Sequence, residues 1–242
     1  MPTTTYDGNV KSTPSGIYAA FDGSQRNAHS IQLQDFKQLG YKRTDIFRRA
    51  GTGTSSFSNN KETLTVSASQ YQITQSAEIF NYFAGNTQKI QGTFINLTPQ
   101  AKFQKRFGYF STSTAAPYTA NKDGIVFETD DTYLYLRVYR DGTETISVRS
   151  NAFTNQNIWS QVDLANFNIY DFDFLWLGGA GVRFFMKINE TWETLHEVEY
   201  AGQYNDIMML YPNQPFRFEI RADADAVGSA SMTYVCAKLA TQ

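Results

Sequence analysis

Two aspartates in one short segment are the best candidates for catalytic chemistry in this sequence. Asp171 and Asp173 alternate with Phe172 and Phe174, which is the pattern of a β-strand with two different faces. Carboxyl groups two positions apart lie about 7 Å apart on one face, and glycoside hydrolysis needs two carboxyls that face one substrate. A structural explanation, in which the aspartate face is solvated or hydrogen-bonded to a neighbouring strand, accounts for the same pattern. We favour this structural explanation and predict no catalytic residues.

The two histidines lack the neighbours that a metal site requires. His29 lies in a polar stretch, and strand alternation turns His196 away from Glu197 and Glu199. A transition-metal site needs several converging nitrogen, sulfur or oxygen ligands. We therefore expect both histidines to be solvated or hydrogen-bonded, and we expect no cofactor.

Four acidic residues of the central region leave calcium binding open. They are Asp123, Glu128, Asp130 and Asp131. Their spacing is not that of an EF-hand loop, and a calcium site between strands cannot be read from spacing alone. We assign no metal ligand among them.

Nucleophilic and nucleotide chemistry find no support in the sequence. Cys236, the single cysteine, lies in an apolar segment and is expected to be a small core residue. A single cysteine also excludes a disulfide within the chain. The glycine-rich segment GGAG (178–181) is followed by an apolar strand pattern, whereas a phosphate-binding loop leads into a helix. We predict a tight turn there.

A basic segment near the N-terminus is the strongest candidate for a binding surface. Basic residues interleaved with aromatic ones can bind nucleic acid, and they can equally dock the segment on another protein. We favour protein docking, because the remainder of the chain is acidic. The predicted docking residues are Lys37, Lys42, Arg43, Phe47, Arg48 and Arg49.

Charge is distributed unevenly along the chain. Residues 1–110 contain 12 Lys and Arg against 6 Asp and Glu, whereas residues 111–242 contain 9 against 17. A basic front and an acidic back favour head-to-tail contacts or docking on an acidic neighbour, although chance scatter gives the same totals. The net charge of −2 argues against a dedicated nucleic-acid binder.

From residue 62 onward the sequence predicts strands. Apolar and aromatic residues alternate with polar ones in segments about ten residues apart, separated by turn signals at Asp123-Gly124, Asp141-Gly142 and Asn189-Glu190. No helical crossover pattern intervenes. We predict an all-β fold, an antiparallel β-sandwich of the jelly-roll type.

The N-terminal region is predicted to be an extended arm. Residues 1–30 show no period of 2 or 3.6, residues 31–50 suggest short helical turns, and residues 51–56 form a Gly/Ser/Thr-rich joint. We divide the chain into a docking arm at residues 1–55 and a β-sandwich domain at residues 56–242. Deletion of residues 1–50 is accordingly expected to leave the sandwich folded.

Several segments between residues 50 and 240 resemble a domain found in structural proteins of tailed bacteriophages. Their order and spacing carry the resemblance, since no single motif is decisive. Residues 186–192 and 201–209 depart from the pattern. The matching segments are RFGYF (106–110), DGIVFE (123–128), DFDFLWLG (171–178), VRF (182–184), HE (196–197) and YPNQPFRFEI (211–220).

The resemblance implies a non-enzymatic component of a phage particle, on the head, a head fibre, the neck or the tail. It implies no catalytic residues. An alternative is a carbohydrate-binding module of a host-attachment fibre, in which exposed aromatic side chains would stack on sugars. The candidates for stacking are Trp159, Trp192, Tyr200 and Tyr204.

The expected partners follow from the virion assignment. They are other virion proteins, such as major capsid, portal, neck or tail proteins, further copies of this chain in a homo-oligomer, and in the alternative a host surface glycan. No nucleic acid or membrane is expected. The N-terminus lacks the pattern of a signal peptide, so we expect assembly into particles in the cytoplasm of the host bacterium.

Overall fold

The computed structural model describes residues 18–19, 25–26, 31–37, 41–112, 121–176 and 181–241. Strands dominate them, beside one 3-10 turn at Ser150–Ala152 and one helical turn, α1, at Gln156–Trp159. The strands are β1 Tyr18–Ala19, β2 Gln25–Arg26, β3 Ile31–Lys37, β4 Phe47–Gly51, β5 Thr54–Ser58, β6 Lys61–Ser67, β7 Tyr71–Ser76, β8 Gln88–Ile95, β9 Phe103–Thr112, β10 Asn121–Thr129, β11 Leu134–Arg140, β12 Thr143–Arg149, β13 Asn168–Leu175, β14 Gly181–Ile188, β15 Thr191–Glu199, β16 Phe216–Ala222 and β17 Ser229–Thr241.

Two antiparallel sheets form the molecule, which confirms the predicted all-β sandwich. The seven-stranded sheet has the order β12-β11-β10-β9-β16-β7-β4, and the eight-stranded sheet has the order β15-β14-β13-β8-β17-β6-β5 with β3 added on β17. The long strand β17 pairs with β8 along most of its length. Its first half pairs with β6 and its second half with β3. β1 and β2 form a separate two-stranded ribbon.

Aromatic rings fill the space between the two sheets. Phe94 of β8 stacks on Phe107 of β9 with ring centroids 4.0 Å apart, and Phe218 of β16 stacks on Tyr234 of β17 at 4.5 Å. These rings are fully buried. Every second residue of the facing strands contributes to this core, so the face of each sheet that points away from it, its outer face, carries the intervening residues.

Glycines let β9 and β10 approach each other closely. A Cβ on Gly124 would lie 2.1 Å from the Cβ of Phe110, and a Cβ on Gly108 would lie 2.2 Å from the carbonyl oxygen of Ile125. The predicted turn at Asp123-Gly124 is therefore wrong, because both residues lie inside β10. The glycine marks close contact between backbones.

The predicted arm is wrong for its described part, residues 31–37 and 41–55. The expected helical turns are replaced by β3, which pairs with β17, and by β4, which pairs with β7. Phe36 and Phe47 are buried in the core, where their rings lie 5.6 Å apart. The boundary placed between residues 55 and 56 falls inside β5. The alternation of Ile31, Leu33 and Asp35 with glutamines fits a strand better than a helix.

Most other predicted elements are confirmed. Asp141-Gly142 joins β11 to β12 and Asn189-Glu190 joins β14 to β15, each with positive φ angles at both residues, as a two-residue hairpin turn requires. Residues 80–83, expected in a strand, lie outside the named strands. His29, most of residues 1–30 and three positions of the GGAG turn lie outside the described residues. No helix in the described part of the chain is long and apolar enough to cross a membrane.

Candidate functional site

The two aspartates singled out for chemistry lie on the outer face of the eight-stranded sheet, in β13. Asp173 forms a bidentate ion pair with Arg183 of β14, at 2.9 Å from Nε and 2.8 Å from Nη2. Asp171 accepts hydrogen bonds at Oδ2 from Lys89 Nζ at 2.7 Å and Gln91 Nε2 at 2.9 Å, both from β8. Both carboxylates are thus bonded to neighbouring strands, which is one of the two arrangements that the structural explanation allowed.

Burial changes the proton affinity of Asp171. Its side chain is 1% exposed, and this desolvation raises the pKa of Asp171 to about 6, against the opposing effect of Lys89. Among the described residues Asp171 Oδ1 has no hydrogen-bond partner. Removal from water therefore dominates over the single ammonium group beside it.

A larger group of charges lies buried on the outer face of the seven-stranded sheet, and we call it the charge network. Glu219 of β16 contacts Arg106 of β9 at 2.5 Å and Arg217 at 2.6 Å. Glu128 of β10 contacts Arg106 at 3.4 Å and also pairs with Arg137 of β11. Two carboxylates and three guanidinium groups therefore link four adjacent strands.

The charge network joins segments that are far apart in the sequence. Arg106, Glu128 and the pair Arg217 and Glu219 come from three of the segments that resemble phage structural proteins, and Asp173 and Arg183 come from two others. Sequence reasoning missed these pairings. The available signal was the regular Arg-Glu-Arg alternation of residues 217–221, which indicates a strand and does not reveal the partners of its charged side chains.

The predicted docking residues differ in burial and in their partners. Phe47 is buried and packs on Phe36, Phe218 and Tyr234. Arg49 forms a bidentate pair with the buried Glu62, at 2.6 and 2.7 Å. Phe47 is therefore a core residue, and Arg49 is mostly buried and already paired, so neither is placed as an exposed docking residue would be.

The remaining four docking residues lie on two strands and on the segment between them, and Arg43 Nη1 donates to the carbonyl oxygen of Lys37 at 3.4 Å. Lys42 donates to the carbonyl oxygen of Ser55 at 2.8 Å, and Arg43 pairs with Asp45. Lys37 is exposed beside Asp35 on β3 of the eight-stranded sheet. Arg48 is exposed on β4 of the seven-stranded sheet. Docking by these four stays a prediction.

The histidine and cysteine are engaged locally. His196 Nδ1 lies 2.8 Å from the hydroxyl of Thr154, and burial lowers the pKa of the imidazole, so the predicted hydrogen-bonded histidine is confirmed. Cys236 is half-buried beside Thr93, with Sγ 3.6 Å from Oγ1. The expected place in the core is therefore wrong: a register shift in β17 turns Cys236 to the outer face.

The four acidic residues considered for calcium have separate partners. Asp130 accepts from the backbone of Thr132 and Tyr133, and Asp131 accepts from the Lys102 amide at 2.7 Å. Glu128 belongs to the charge network. No group of three or more His, Cys, Asp or Glu able to hold a metal ion occurs among the described residues.

The candidate stacking aromatics differ in exposure. Trp159 packs on Phe153 with ring centroids 5.0 Å apart, and Tyr200 is buried. Trp192 and Tyr204 are exposed, and Tyr204 stacks on Tyr200 at 4.2 Å. Trp192 and Tyr204 are therefore the members of this set with exposed rings.

An open cavity of about 620 Å³ lies where the segment before β16 meets the first residues of β10. Sequence reasoning did not identify it, although residues 211–214 belong to one of the resembling segments. Its lining includes Ile79, Asp123, Asp141, Tyr211, Asn213 and Gln214.

Solved structures with a similar fold include lectins and glucanases. The β-glucanase of Bacillus licheniformis has a TM-score of 0.57 at 12% identity, covering 88% of this chain and 99% of that chain. A legume lectin-like domain from Entamoeba histolytica has a TM-score of 0.54 at 12% identity, covering 88% and 98%. Lectin UEA-II complexed with galactose has a TM-score of 0.52 at 8% identity, covering 87% and 99%. No family model and no curated protein sequence matches the chain.

These likenesses define the fold class. The chain has the two-sheet jelly-roll sandwich shared by legume-type lectins and β-glucanases, in agreement with the predicted fold. At such low identity they say nothing further about its activity, since one sandwich supports both binding and hydrolysis.

Proposed function

We propose that this protein is a non-enzymatic structural component of a tailed-bacteriophage particle. It assembles into or decorates the head, neck or tail through contacts with other virion proteins and with further copies of itself. It requires no cofactor, and it acts in the virion after assembly in the host cytoplasm. The order and spacing of the six resembling segments motivate the proposal.

The observation that best supports this proposal is that charged residues of those segments form ion pairs with one another. Arg106 bonds to both Glu128 and Glu219, and Asp173 bonds to Arg183. A hydrolase that uses two carboxyls needs one to protonate the leaving group and one to attack or activate water. Both oxygens of Asp173 are bonded to the guanidinium group of Arg183 within the sheet. The resembling segments thus supply a framework that holds the fold.

Particle association tests this proposal. Particles of the phage that encodes the chain are purified on a density gradient, and their proteins are quantified by mass spectrometry. We expect the chain to co-sediment with the major capsid protein at a fixed copy number. Recovery only in the unsedimented lysate, with none in the particle band, would contradict the proposal.

A carbohydrate-binding module of a host-attachment fibre is the second candidate. The open cavity beside Tyr211 favours it, because an exposed ring next to buried polar groups suits a sugar. The galactose complex of one lectin with a similar fold supports the same class of ligand. The two functions are compatible, since a particle protein can also bind the host surface.

A further inference from the structure

We propose that the cavity beside Tyr211 is a binding site for a neutral saccharide. Asp123 and Gln214 accept hydrogen bonds from its hydroxyl groups, and the Tyr211 ring covers an apolar face of the sugar. This inference rests on the second candidate function and is independent of the particle role. The cavity, at about 620 Å³, falls within the roughly 300–1,000 Å³ of small-molecule sites.

Two buried acceptors in the cavity lining have unused capacity. Asp123 is 1% exposed and Gln214 is 2% exposed. Within the described residues, Asp123 Oδ2 and Gln214 Oε1 have no hydrogen-bond partner. A buried polar atom without a partner costs free energy that a suitable donor recovers. Hydroxyl groups of a ligand are such donors.

The backbone holds both acceptors in place. Asp123 Oδ1 accepts from the Leu210 amide at 2.7 Å and from the Asp141 amide at 3.4 Å. Gln214 Nε2 donates to the carbonyl oxygen of Tyr211 at 2.7 Å. One atom of each side chain is therefore fixed, and the other acceptor is held without an entropy cost on binding.

Asn213 adds a hydrogen-bond donor to the two acceptors of the cavity. Asn213 Oδ1 accepts from the Tyr82 amide at 2.7 Å, so the NH₂ group is the part of this amide that a ligand can use. Desolvation raises the pKa of Asp123, which shows that the folded protein bears a cost for keeping this carboxylate where it is.

Apolar side chains stand at the mouth of the cavity. Tyr211 is 65% exposed, Ile79 is 64% exposed and Leu210 is 39% exposed. A sugar ring presents hydroxyl groups at its edge and C–H groups on its faces, so it fits a site that combines acceptors with an exposed aromatic ring. The lining thus combines exposed apolar side chains with a buried carboxylate, and such a combination is typical of a binding site.

The charges of the cavity disfavour other ligands. Lys122 lies in the lining and bonds Asp141 through Nζ at 3.0 Å. The ammonium group of Lys122 repels any lysine or arginine side chain of a ligand that would otherwise bind Asp123. The pairing of Asp141 also removes the second carboxylate that a calcium ion would need. A neutral ligand with several hydroxyl groups meets none of these obstacles.

Saccharide binding by the full chain tests the site. The probes are methyl glycosides of galactose, glucose, mannose and N-acetylglucosamine in saturation-transfer NMR, followed by a glycan array. We expect binding, with Tyr211→Ala and Asp123→Asn each lowering affinity at least about tenfold. Asp123→Asn keeps the Oδ1 acceptor and turns the other oxygen into a donor, so the fold is retained. Tyr41→Ala and Asp225→Asn, at exposed sites outside the lining, are the matched controls.

Three outcomes would overturn the inference. They are failure to bind any saccharide on the array, binding that both cavity variants leave unchanged, and displacement of the sugar by an arginine- or lysine-rich peptide that binds the cavity more tightly. Copy number on purified particles is measured separately for each variant. A chain that binds no sugar and still joins particles refutes only the saccharide site, whereas one that binds sugar and is absent from particles refutes only the particle role.

Discussion

Two carboxylates in this molecule are buried to the same degree and treated in opposite ways. Glu219 is fully buried and contacts two guanidinium groups, those of Arg106 and Arg217. Asp123 is 1% exposed, bonds only to backbone amides among the described residues, and keeps one oxygen without a partner. The first lies in the centre of a sheet, and the second lies beside a cavity with exposed aromatic and aliphatic residues.

The difference separates groups that maintain the fold from groups that are available to a ligand. A buried charge costs several kcal/mol unless it is paired and hydrogen-bonded. Where the chain satisfies this requirement, as at Glu219, Glu62 and Asp173, the carboxylate is structural. Asp123 has no charged partner among its bonds and keeps one oxygen without a hydrogen bond. This lowers the stability of the fold and leaves an acceptor for a ligand.

Deletion of residues 1–51 is expected to have the largest effect. It removes the buried rings of Phe36 and Phe47 and leaves Glu62 without Arg49. Loss of one buried Phe ring costs about 3–5 kcal/mol, and whole domains are stable by only about 5–15 kcal/mol. We expect circular dichroism to show loss of the β signal and of a cooperative thermal transition.

The control for that deletion is removal of residues 1–17, which takes away none of the described strands. A sharp transition in the chain that lacks residues 1–51 would show that β3 and β4 are dispensable. The paired carboxylate Glu62 would then be no more structural than Asp123, and the comparison would fail.

Glu219→Gln is expected to have the next largest effect. It leaves the buried Arg106 and Arg217 facing a neutral amide, and removing one member of a buried ion pair typically costs about 3–5 kcal/mol. Chemical denaturation measures the free energy of unfolding. Glu190→Gln, at an exposed carboxylate paired with Lys187, is the matched control with little change. If the two variants were equally stable, the ion pairs of Glu219 would not stabilise the fold, and the distinction between Glu219 and Asp123 would be wrong.

Asp171 tests an intermediate case. Like Asp123 it keeps one oxygen without a partner among the described residues, but its other oxygen is paired with the ammonium group of Lys89. Burial raises its pKa from 3.8 to about 6, so between these values the folded protein holds a proton that the unfolded chain has released. Stability therefore falls as pH rises through this window, by up to about 3 kcal/mol at about 1.4 kcal/mol per pKa unit. Asp171→Asn should remove this loss.

Denaturation at pH 4, 5, 6 and 7 checks the Asp171 prediction through the difference between wild type and variant. The difference should grow in favour of the variant from pH 4 to pH 7. A difference that does not change with pH would mean that Lys89 and Gln91 compensate fully for the burial of Asp171.

Asp123→Asn should have the smallest effect on stability. Because desolvation raises the pKa of Asp123, its charged form weakens folding at neutral pH, and a neutral amide relieves that cost. We expect the melting temperature to be unchanged or slightly raised by differential scanning calorimetry, with saccharide binding lost. A clear drop in melting temperature would place Asp123 with the structural carboxylates.

The strands were predictable because their residues alternate. Residues 216–222 carry Phe, Phe and Ile on one side and Arg, Glu and Arg on the other, and they form β16. Residues 31–37 alternate more weakly and were predicted to be helical turns. Their pairing with the C-terminal half of β17 decides their structure, and a contact across 200 residues leaves no local pattern.

The site was less predictable than the fold for the same reason. The acid-base candidates Asp171 and Asp173 could be placed on one face of a strand, and their bonding to neighbouring strands was foreseen. The meeting of Asp123 with Tyr211 and Gln214 depends on a loop crossing the end of β10. The Asp123-Gly124 pair was predicted to be a turn, and this was wrong. Glycine is needed at position 124 because β9 and β10 approach each other too closely for a side chain.

A cryo-electron microscopy map of the phage particle that encodes this chain tests the central claim most directly. The account predicts density for the two-sheet sandwich at symmetry-related positions on the particle, with β3 and β4 inside the sandwich and the Tyr211 cavity open to solvent. A particle that is complete in the map and contains no copy of this fold would contradict the proposal that the protein is a structural component of the virion.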